Sequence, residues 1–206
     1  MTKPHHAVPG RSDEWFTPPE IFEAMAVQFD LDPCQPEEGR EFLSVPTHRY
    51  YTAQQDGLTA SWDGFVWLNP PFGGRNGVVP WLRKFMAHGN GVCLVNALTS
   101  SGWFHDWAPS AEAILFPRGK TKFVRPDGSR GASPANGIAL LACGAKGAQA
   151  LRNAQSNGLG MCLSGMKTIA PKSNFSPAPP YPTGRNPANM TKAAGSGEPG
   201  GLLTNS

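Results

Sequence analysis

The sequence lacks the features that would indicate a metal centre, a disulfide framework or a membrane span. Its four cysteines include no Cys-x-x-Cys pair, and its five histidines do not join them at metal-ligand spacings. We therefore expect reduced thiols and no metal. The sequence has no apolar run of about 18 residues and no apolar signal segment at its start. These absences favour a cytoplasmic protein without membrane association.

In most of the chain there is also no large excess of charge of either sign. Residues 1–150 hold 13 Lys and Arg against 14 Asp and Glu, a net charge of −1, whereas residues 151–206 hold 5 against 1. The basic excess of the chain thus belongs to its end and is weak support for a nucleic-acid-binding fold. One local exception is RGKTKFVRPDGSR, residues 118–130. A phosphate-contacting surface and a solvated hairpin are equal alternatives for this basic segment.

The composition changes near residue 151. From there Pro, Gly, Ser and Asn are abundant, and the scattered apolar residues follow no sustained period. Such a segment buries too little apolar surface to offset the entropy lost on ordering it. We therefore predict a flexible start at residues 1–12, one globular domain at residues 13–150, and a disordered tail at residues 151–206.

The most informative stretch is FVWLNPPFGG, residues 65–74. Its first four residues are apolar, aromatic or β-branched, which predicts a buried strand. Pro70 and Pro71 have no N–H to donate to a sheet, so the strand ends at Asn69 and the chain leaves the sheet rigidly. Open α/β sheets bind ligands at the carboxyl ends of their strands. We favour a functional site at Asn69 over an ordinary strand-terminating turn.

A helix is predicted before this strand. In the segment TPPEIFEAMAVQ, Thr17 is a candidate N-cap, Pro18 suits the first helical position, and Glu20 completes a capping box with Thr17. Apolar residues then recur at helical spacing. The pattern predicts a helix from near Pro18 to near Gln28, with an apolar stripe that belongs to the core.

Two carboxylates are candidate ligand-binding residues. Asp32 ends a possible short strand that Pro33 stops, which would place its carboxylate at a second strand end. A turn carboxylate is an equal alternative, since Asp-Pro favours turns. Asp56 precedes a glycine, and taken alone it is more typical of a turn than of a ligand site.

Downstream, apolar runs alternate with helical patterns. Residues 78–89 predict a helix, residues 91–97 a strand, residues 113–116 a further strand, and residues 136–144 a last buried strand. Strands that alternate with helices indicate an α/β fold, with a mixed, mostly parallel sheet and helices on both faces. In such a sheet Asp32 and Asn69 would lie along one edge.

Together these motifs resemble those of the phage-type DNA N6-adenine methyltransferases, over about residues 13–143. The resemblance rests on DEWFTP at 13–18, FDLD at 29–32, DGL at 56–58 before Trp62, NPPFG at 69–73 and the later Trp103-Phe104. It implies a Rossmann-like methyltransferase that uses S-adenosylmethionine. The usual Phe-x-Gly-x-Gly cofactor loop is missing; Asp32-Pro33-Cys34 takes its place, with Gly39 downstream.

The resemblance also implies roles for individual residues. The catalytic motif would be Asn69, Pro70, Pro71 and Phe72. In it the Asn69 side-chain oxygen and the Pro70 carbonyl accept hydrogen bonds from an adenine amine, while Phe72 stacks on the base. The implied cofactor contacts are Trp15, Phe16, Thr17, Pro18, Asp32 and Asp56. Arg75, Lys120 and Lys122 are hypothetical phosphate contacts.

The expected activity is thus adenine-N6 methylation of a base flipped out of duplex DNA. By resemblance the protein would be of phage or prophage origin and act in the bacterial cytoplasm, with a role of the restriction-modification kind. The sequence shows no heptad pattern and no large exposed amphipathic stretch, which favours a monomer. Three alternatives stay open: methylation of RNA adenine, methylation of protein glutamine, and a catalytically silent DNA-binding protein.

Overall fold

The computed structural model describes residues 15–71 and 77–165. Nine regular elements of helix and strand lie in these two ranges. They are α1 (Pro19–Met25), β1 (Val66–Leu68), α2 (Val79–His88), β2 (Gly91–Asn96), α3 (Gly102–Trp107), β3 (Ala113–Pro117), β4 (Ile138–Cys143), α4 (Gly144–Ser156) and β5 (Gly160–Ser164). The predicted strand before Asn69, the helix over residues 78–89 and the strands at 91–97 and 113–116 are confirmed.

The five strands form one open sheet in the order β1-β2-β4-β3-β5. β1 and β2 are parallel, and on the far side of β1 two isolated parallel bridges continue the sheet, Leu31 with Val66 and Asp32 with Tyr50. The α/β class and the mixed sheet are confirmed. The expectation of a mostly parallel sheet is wrong for the five strands, because β4 runs in the reverse direction between β2 and β3. β5 adds a further antiparallel pair with β3.

Each face of the sheet buries its own hydrophobic core. Trp67, Leu94 and Leu140 point to one side, where α1 and α4 cover them. Val66, Leu68 and neighbouring residues point to the other side, under α2 and α3. Alternate residues along a strand face opposite sides, so strands buried on both faces are apolar throughout. Helices on both faces, as predicted, make a three-layer arrangement.

Helix α1 differs from its prediction at both ends. Pro18 is the N-cap, no side chain caps the helix, and Ala26 ends it in a left-handed conformation at φ 52°, before Gln28. The expected capping box does not form, because Glu20 instead pairs with Arg130 at 2.8 Å. The hydroxyl of Thr17 therefore makes no capping hydrogen bond to α1.

The ordered fold extends further along the chain than expected. The predicted boundary at residue 151 falls inside α4, and β5 follows as an edge strand. Leu151 and Ala154 are fully buried on α4, which explains why this part of the expected tail is structured. All of the described residues belong to one compact unit. In the described ranges, no helix has both the length and the apolarity needed to cross a membrane.

Candidate active site

A cavity of about 410 Å³ opens where the parallel strands end. Segments from five parts of the chain line it: residues 15–17 before α1, residues 32–36 after the Leu31 bridge, Leu43 with Val45, the turn at 52–57, and residues 69–71 after β1. Trp67 and Trp81 add apolar surface. Because Leu31 and β1 run parallel, their carboxyl ends meet at one edge, which is where α/β sheets bind ligands. The expected meeting of Asp32 and Asn69 is thereby confirmed.

Asn69 lines the cavity and is held there by its amide nitrogen. The Nδ2 group donates to the backbone carbonyl of Trp15 at 3.2 Å. The Oδ1 atom is buried and has no hydrogen-bond partner. A buried oxygen without a donor costs about 1–3 kcal/mol, so such an atom is retained where a ligand supplies the donor. Trp15 therefore determines which end of the Asn69 amide is free.

Thr17 has a second buried oxygen of the same kind. The side chain is only 3% exposed, it lines the cavity, and its Oγ1 has no hydrogen-bond partner. Its backbone follows Phe16, which pairs with Val124 through two 2.9 Å hydrogen bonds. Thr17 is thus fixed beside the cavity rather than used as a helix cap. Two residues that line this cavity, Asn69 and Thr17, thus each carry a buried oxygen without a hydrogen-bond partner.

Asp32 is the third buried polar group in this cavity. It is 4% exposed, and burial raises the pKa of its carboxyl to about 7. Hydrogen bonds from the Cys34 N–H, at 3.1 Å, and from the Gln35 side chain lower that pKa again but do not outweigh burial. A desolvated carboxylate in a cavity is poised to accept hydrogen bonds or to pair with a cation.

Asp56 lies at the rim and is exposed. Its backbone is left-handed, with φ 48°, and its Oδ1 accepts a hydrogen bond from the Leu58 N–H at 3.1 Å. The next residue, Gly57, packs so closely on Pro33 that a Cβ atom would overlap the Pro33 carbonyl oxygen. The turn bearing Asp56 is thus fixed against the strand end bearing Asp32, so both carboxylates belong to one cavity wall.

The basic segment, residues 118–130, lies beside the same cavity. Val124 bridges to Phe16, and the Arg125 guanidinium lies 5.7 Å from the centre of the Trp15 ring. Arg130 is engaged with Glu20, whereas the side chain of Lys122 is exposed. Lys120 is also exposed, and it donates to the Ala135 carbonyl at 3.0 Å. The segment therefore presents positive charge next to the site without lining it.

Comparison with models of known protein families assigns the chain to one of them. A model of the family described as DNA N-6-adenine-methyltransferase (Dam) matches residues 5–147. The chain belongs to this family. No curated protein and no solved structure gives a significant match. The resemblance drawn from the motifs is thus confirmed, and as a member of the Dam family the protein is a DNA adenine methyltransferase.

The structure of this Dam family member brings most of the predicted site residues together. The cavity is lined by Trp15, Phe16, Thr17, Asp32, Asp56, Asn69, Pro70 and Pro71. Pro18 is buried at the N-cap of α1 and is not among the lining residues. Phe72 and Arg75 lie outside the described residues. Among the residues that are described, no group of three or more His, Cys, Asp or Glu is placed to hold a metal ion.

Two residues of the site were missed by the sequence reasoning. Gln35 is 7% exposed, lines the cavity and contacts the carboxyl of Asp32. Lys84, on α2, donates hydrogen bonds to the turn after Asp56. The sequence marks neither residue, because each becomes important through contacts with other segments. A polar residue close behind a strand-terminating Asp-Pro is the only local sign that could have indicated Gln35.

Proposed function

We propose that the protein transfers a methyl group from S-adenosylmethionine to the N6 amine of an adenine flipped out of duplex DNA. The observation that carries the proposal is the buried, unpartnered Oδ1 of Asn69 at the exit from β1. The Dam family membership supports the same reaction class. The chemistry of the cavity supports the finer parts of the proposal, namely the methyl donor, the base flipping and the roles of single residues.

Asn69 suits the activation of an exocyclic amine. The lone pair of the adenine amine delocalises into the ring, which makes the nitrogen a poor nucleophile. Hydrogen bonds accepted from both of its N–H groups favour a pyramidal and more nucleophilic nitrogen. Asn69 Oδ1 and the Pro70 carbonyl are two acceptors, and the prolines limit how far they can move. Because Nδ2 is bound to Trp15, Asn69 acts here as an acceptor and selects a substrate that donates.

The remainder of the cavity fits S-adenosylmethionine, which supplies an electrophilic methyl group on a sulfonium. We assign Asp32 to its amino group or its ribose, Asp56 to its adenine amine, and Thr17 and Pro18 to its methionine end. Trp15 and Phe16 would lie against its ring. The buried polar atoms of Thr17 and Asp32, beside apolar walls in a cavity of about 410 Å³, support this fit.

The substrate is DNA in this proposal. A target amine inside a duplex is inaccessible, so the base must leave the stack to reach the cavity, and Phe72 would stack on it. Lys120 and Lys122, and Arg75 in the neighbouring loop, would contact phosphates. The basic segment lies beside Trp15 and Phe16, which supports this position. A monomeric state and a cytoplasmic location stay predictions.

The test measures methyl transfer and the product base together. The wild-type protein and Asn69→Ala are incubated with methyl-labelled S-adenosylmethionine and unmethylated duplex DNA, and nucleosides are analysed by mass spectrometry. N6-methyladenine from the wild type alone supports the reaction and the role of Asn69. N4-methylcytosine would keep the mechanism and correct the base. Cofactor binding without transfer to DNA would refute the DNA substrate, and RNA in a parallel reaction would identify the first alternative.

A further inference from the structure

We propose that Lys84 is a positioning residue that holds the cavity wall carrying Asp56 and thereby sets the affinity for the methyl donor. The inference rests on the proposed function, because it takes the cavity as the site of S-adenosylmethionine. Lys84 lies on α2 and is not among the residues that line the cavity. Its effect on the ligand is therefore exerted through the turn that it contacts.

The ammonium group of Lys84 donates hydrogen bonds to three backbone carbonyls of that turn. Lys84 Nζ donates to the carbonyl oxygens of Gly57 at 2.9 Å and Leu58 at 2.7 Å, and also to that of Ala60. A lysine ammonium has three N–H donors, so all of them are used within four residues of chain. Carbonyl dipoles that converge in this way repel one another, and the positive charge of Lys84 offsets the repulsion. Without the Lys84 ammonium group, repulsion between these carbonyls would favour an open turn.

Trp62 reinforces the same contact. Its indole Nε1 donates to the Gly57 carbonyl at 2.8 Å, and the Lys84 ammonium lies 4.8 Å from its ring centre. On the other side, the Trp62 ring stacks on Trp81 of α2 at 6.4 Å. Gly57 thus accepts hydrogen bonds from both Lys84 and Trp62, and α2 anchors both donors.

The anchored turn bears directly on the cavity. Gly57 packs against Pro33, so the turn cannot shift without disturbing the strand end at Asp32. Asp56 adopts a left-handed backbone, which is uncommon for non-glycine residues as a class but which aspartate accepts more readily than most. Its carbonyl also accepts from the N–H groups of Thr59 and Ala60, at 2.9 and 3.0 Å. Removing the Lys84 donors would release the turn and let Asp56 leave its position.

Lys146 offers a matched control for loss of a lysine. It lies on α4, its ammonium is 4.3 Å from the centre of the Phe65 ring, and it donates to the Gln28 carbonyl at 3.3 Å. Both lysines therefore cover an aromatic ring and bind a backbone carbonyl. Only Lys84 contacts the cavity wall. A general loss of stability would affect both variants, whereas a positioning role would separate them.

The experiment compares wild type, Lys84→Met and Lys146→Met in the full chain. Calorimetric titration with S-adenosylmethionine gives the dissociation constant, and single-turnover methylation of duplex DNA at saturating S-adenosylmethionine gives the rate. We expect Lys84→Met to weaken binding about tenfold, since small misplacements of a binding group have effects of this order or larger. Its saturating rate should stay within about threefold of wild type, and Lys146→Met should bind like wild type.

Other results would overturn the inference. Equal affinities of Lys84→Met and wild type would do so, and so would equal weakening in Lys146→Met. If circular dichroism shows that Lys84→Met does not fold, Trp62→Phe decides, because it keeps an aromatic ring at this position but lacks the indole N–H that donates to Gly57. Weaker binding by Trp62→Phe supports the inference, and unchanged binding refutes it. A wild-type protein that binds no S-adenosylmethionine would instead refute the proposed function itself.

Discussion

The sheet has two halves with different tasks. The parallel half, formed by the Leu31 bridge, β1 and β2, ends in buried polar groups at the cavity. The reversed half, in which each strand runs antiparallel to its neighbour, consists of β4, β3 and β5. All six residues of β4, the central strand of the whole sheet, are buried and apolar. β4 pairs with β2 over six residues in register. The residues that line the cavity thus include Trp67 of β1 and the segments that follow β1 and Leu31, whereas none of the described residues of β4, β3 or β5 lines it.

The two halves of the sheet differ in how their buried groups affect the stability of the fold. At the cavity where the parallel half ends, Asn69 and Thr17 each have a buried oxygen without a partner, and Asp32 is desolvated. Each such group lowers the free energy of unfolding unless a ligand satisfies it. In the reversed half the buried apolar side chains of β4 raise the free energy of unfolding, because folding removes their surface from water. Substitutions of the polar groups at the end of the parallel half should therefore impair activity at little cost in stability, and substitutions of the buried apolar side chains of β4 should do the opposite.

The largest effect is expected for Asn69→Ala. Removing an acceptor that acts on the reacting amine should lower the rate of methyl transfer by about 100-fold or more. The free energy of unfolding should change by less than about 1 kcal/mol, because the lost hydrogen bond to Trp15 is offset by removal of an unpaired buried oxygen. Urea unfolding and single-turnover methylation measure the two quantities. Asn96→Ala, at the end of β2, is the control and should keep its rate; a similar loss there would contradict the assignment.

In the reversed half, Leu140→Ala should have the opposite effect. Leu140 is fully buried in β4, and removing most of its side chain should lower the free energy of unfolding by about 2–5 kcal/mol. The rate per folded molecule should stay near that of wild type. Urea denaturation followed by fluorescence, with activity normalised to the folded fraction, checks both. A large loss of rate at normal stability would break the division between the halves.

Asp32→Asn should separate stability from binding as the pH changes. Burial raises the pKa of Asp32 to about 7, so the folded state binds this proton more tightly than the unfolded state, in which the pKa is near 3.8. The stability that Asp32 contributes is therefore full below about pH 3.8 and is lost as the pH rises towards 7. The variant should then exceed wild type in melting temperature at pH 8 and approach it at pH 4.

The same variant should bind S-adenosylmethionine about tenfold more weakly at pH 8, because a neutral amide cannot replace the carboxylate. Wild-type affinity should fall as the pH drops below 7, while that of Asp32→Asn should change little. Thermal melts and calorimetry over this pH range give both results. Asp63→Asn, which alters an exposed carboxylate, is the control. A flat pH dependence of wild-type binding would contradict a role for ionised Asp32.

The smallest effect is expected in the basic segment. Lys122 is exposed, and Lys122→Gln should weaken binding to duplex DNA several-fold and reduce the slope of log affinity against log salt by about 1. Arg130→Gln is the comparison, because Glu20 already balances the Arg130 charge, and it should change the slope less. Fluorescence anisotropy at several salt concentrations measures both. Equal slopes in Lys122→Gln and wild type would remove Lys122 from the DNA contacts.

Local patterns determined the elements that build the site. The apolar run before Asn69, the prolines after it, the helical spacing in α2 and the Asp-Pro at 32–33 each act within a few residues, because they limit backbone angles or select a buried face. The family resemblance follows from the same motifs. The sequence by itself thus determined that a polar side chain follows β1 and that a second ends the preceding segment.

The tertiary structure decided which groups those side chains meet. The reversal of β4 between β2 and β3, the addition of β5, and the pairing of Glu20 with Arg130, 110 residues away, depend on strand pairing and packing rather than on local propensity. The same is true of the Trp15 carbonyl that orients Asn69 and of the Lys84 ammonium that holds the Asp56 turn. Hydrogen bonds between distant segments leave no periodic trace in a sequence, so only the folded chain brings their donors and acceptors together.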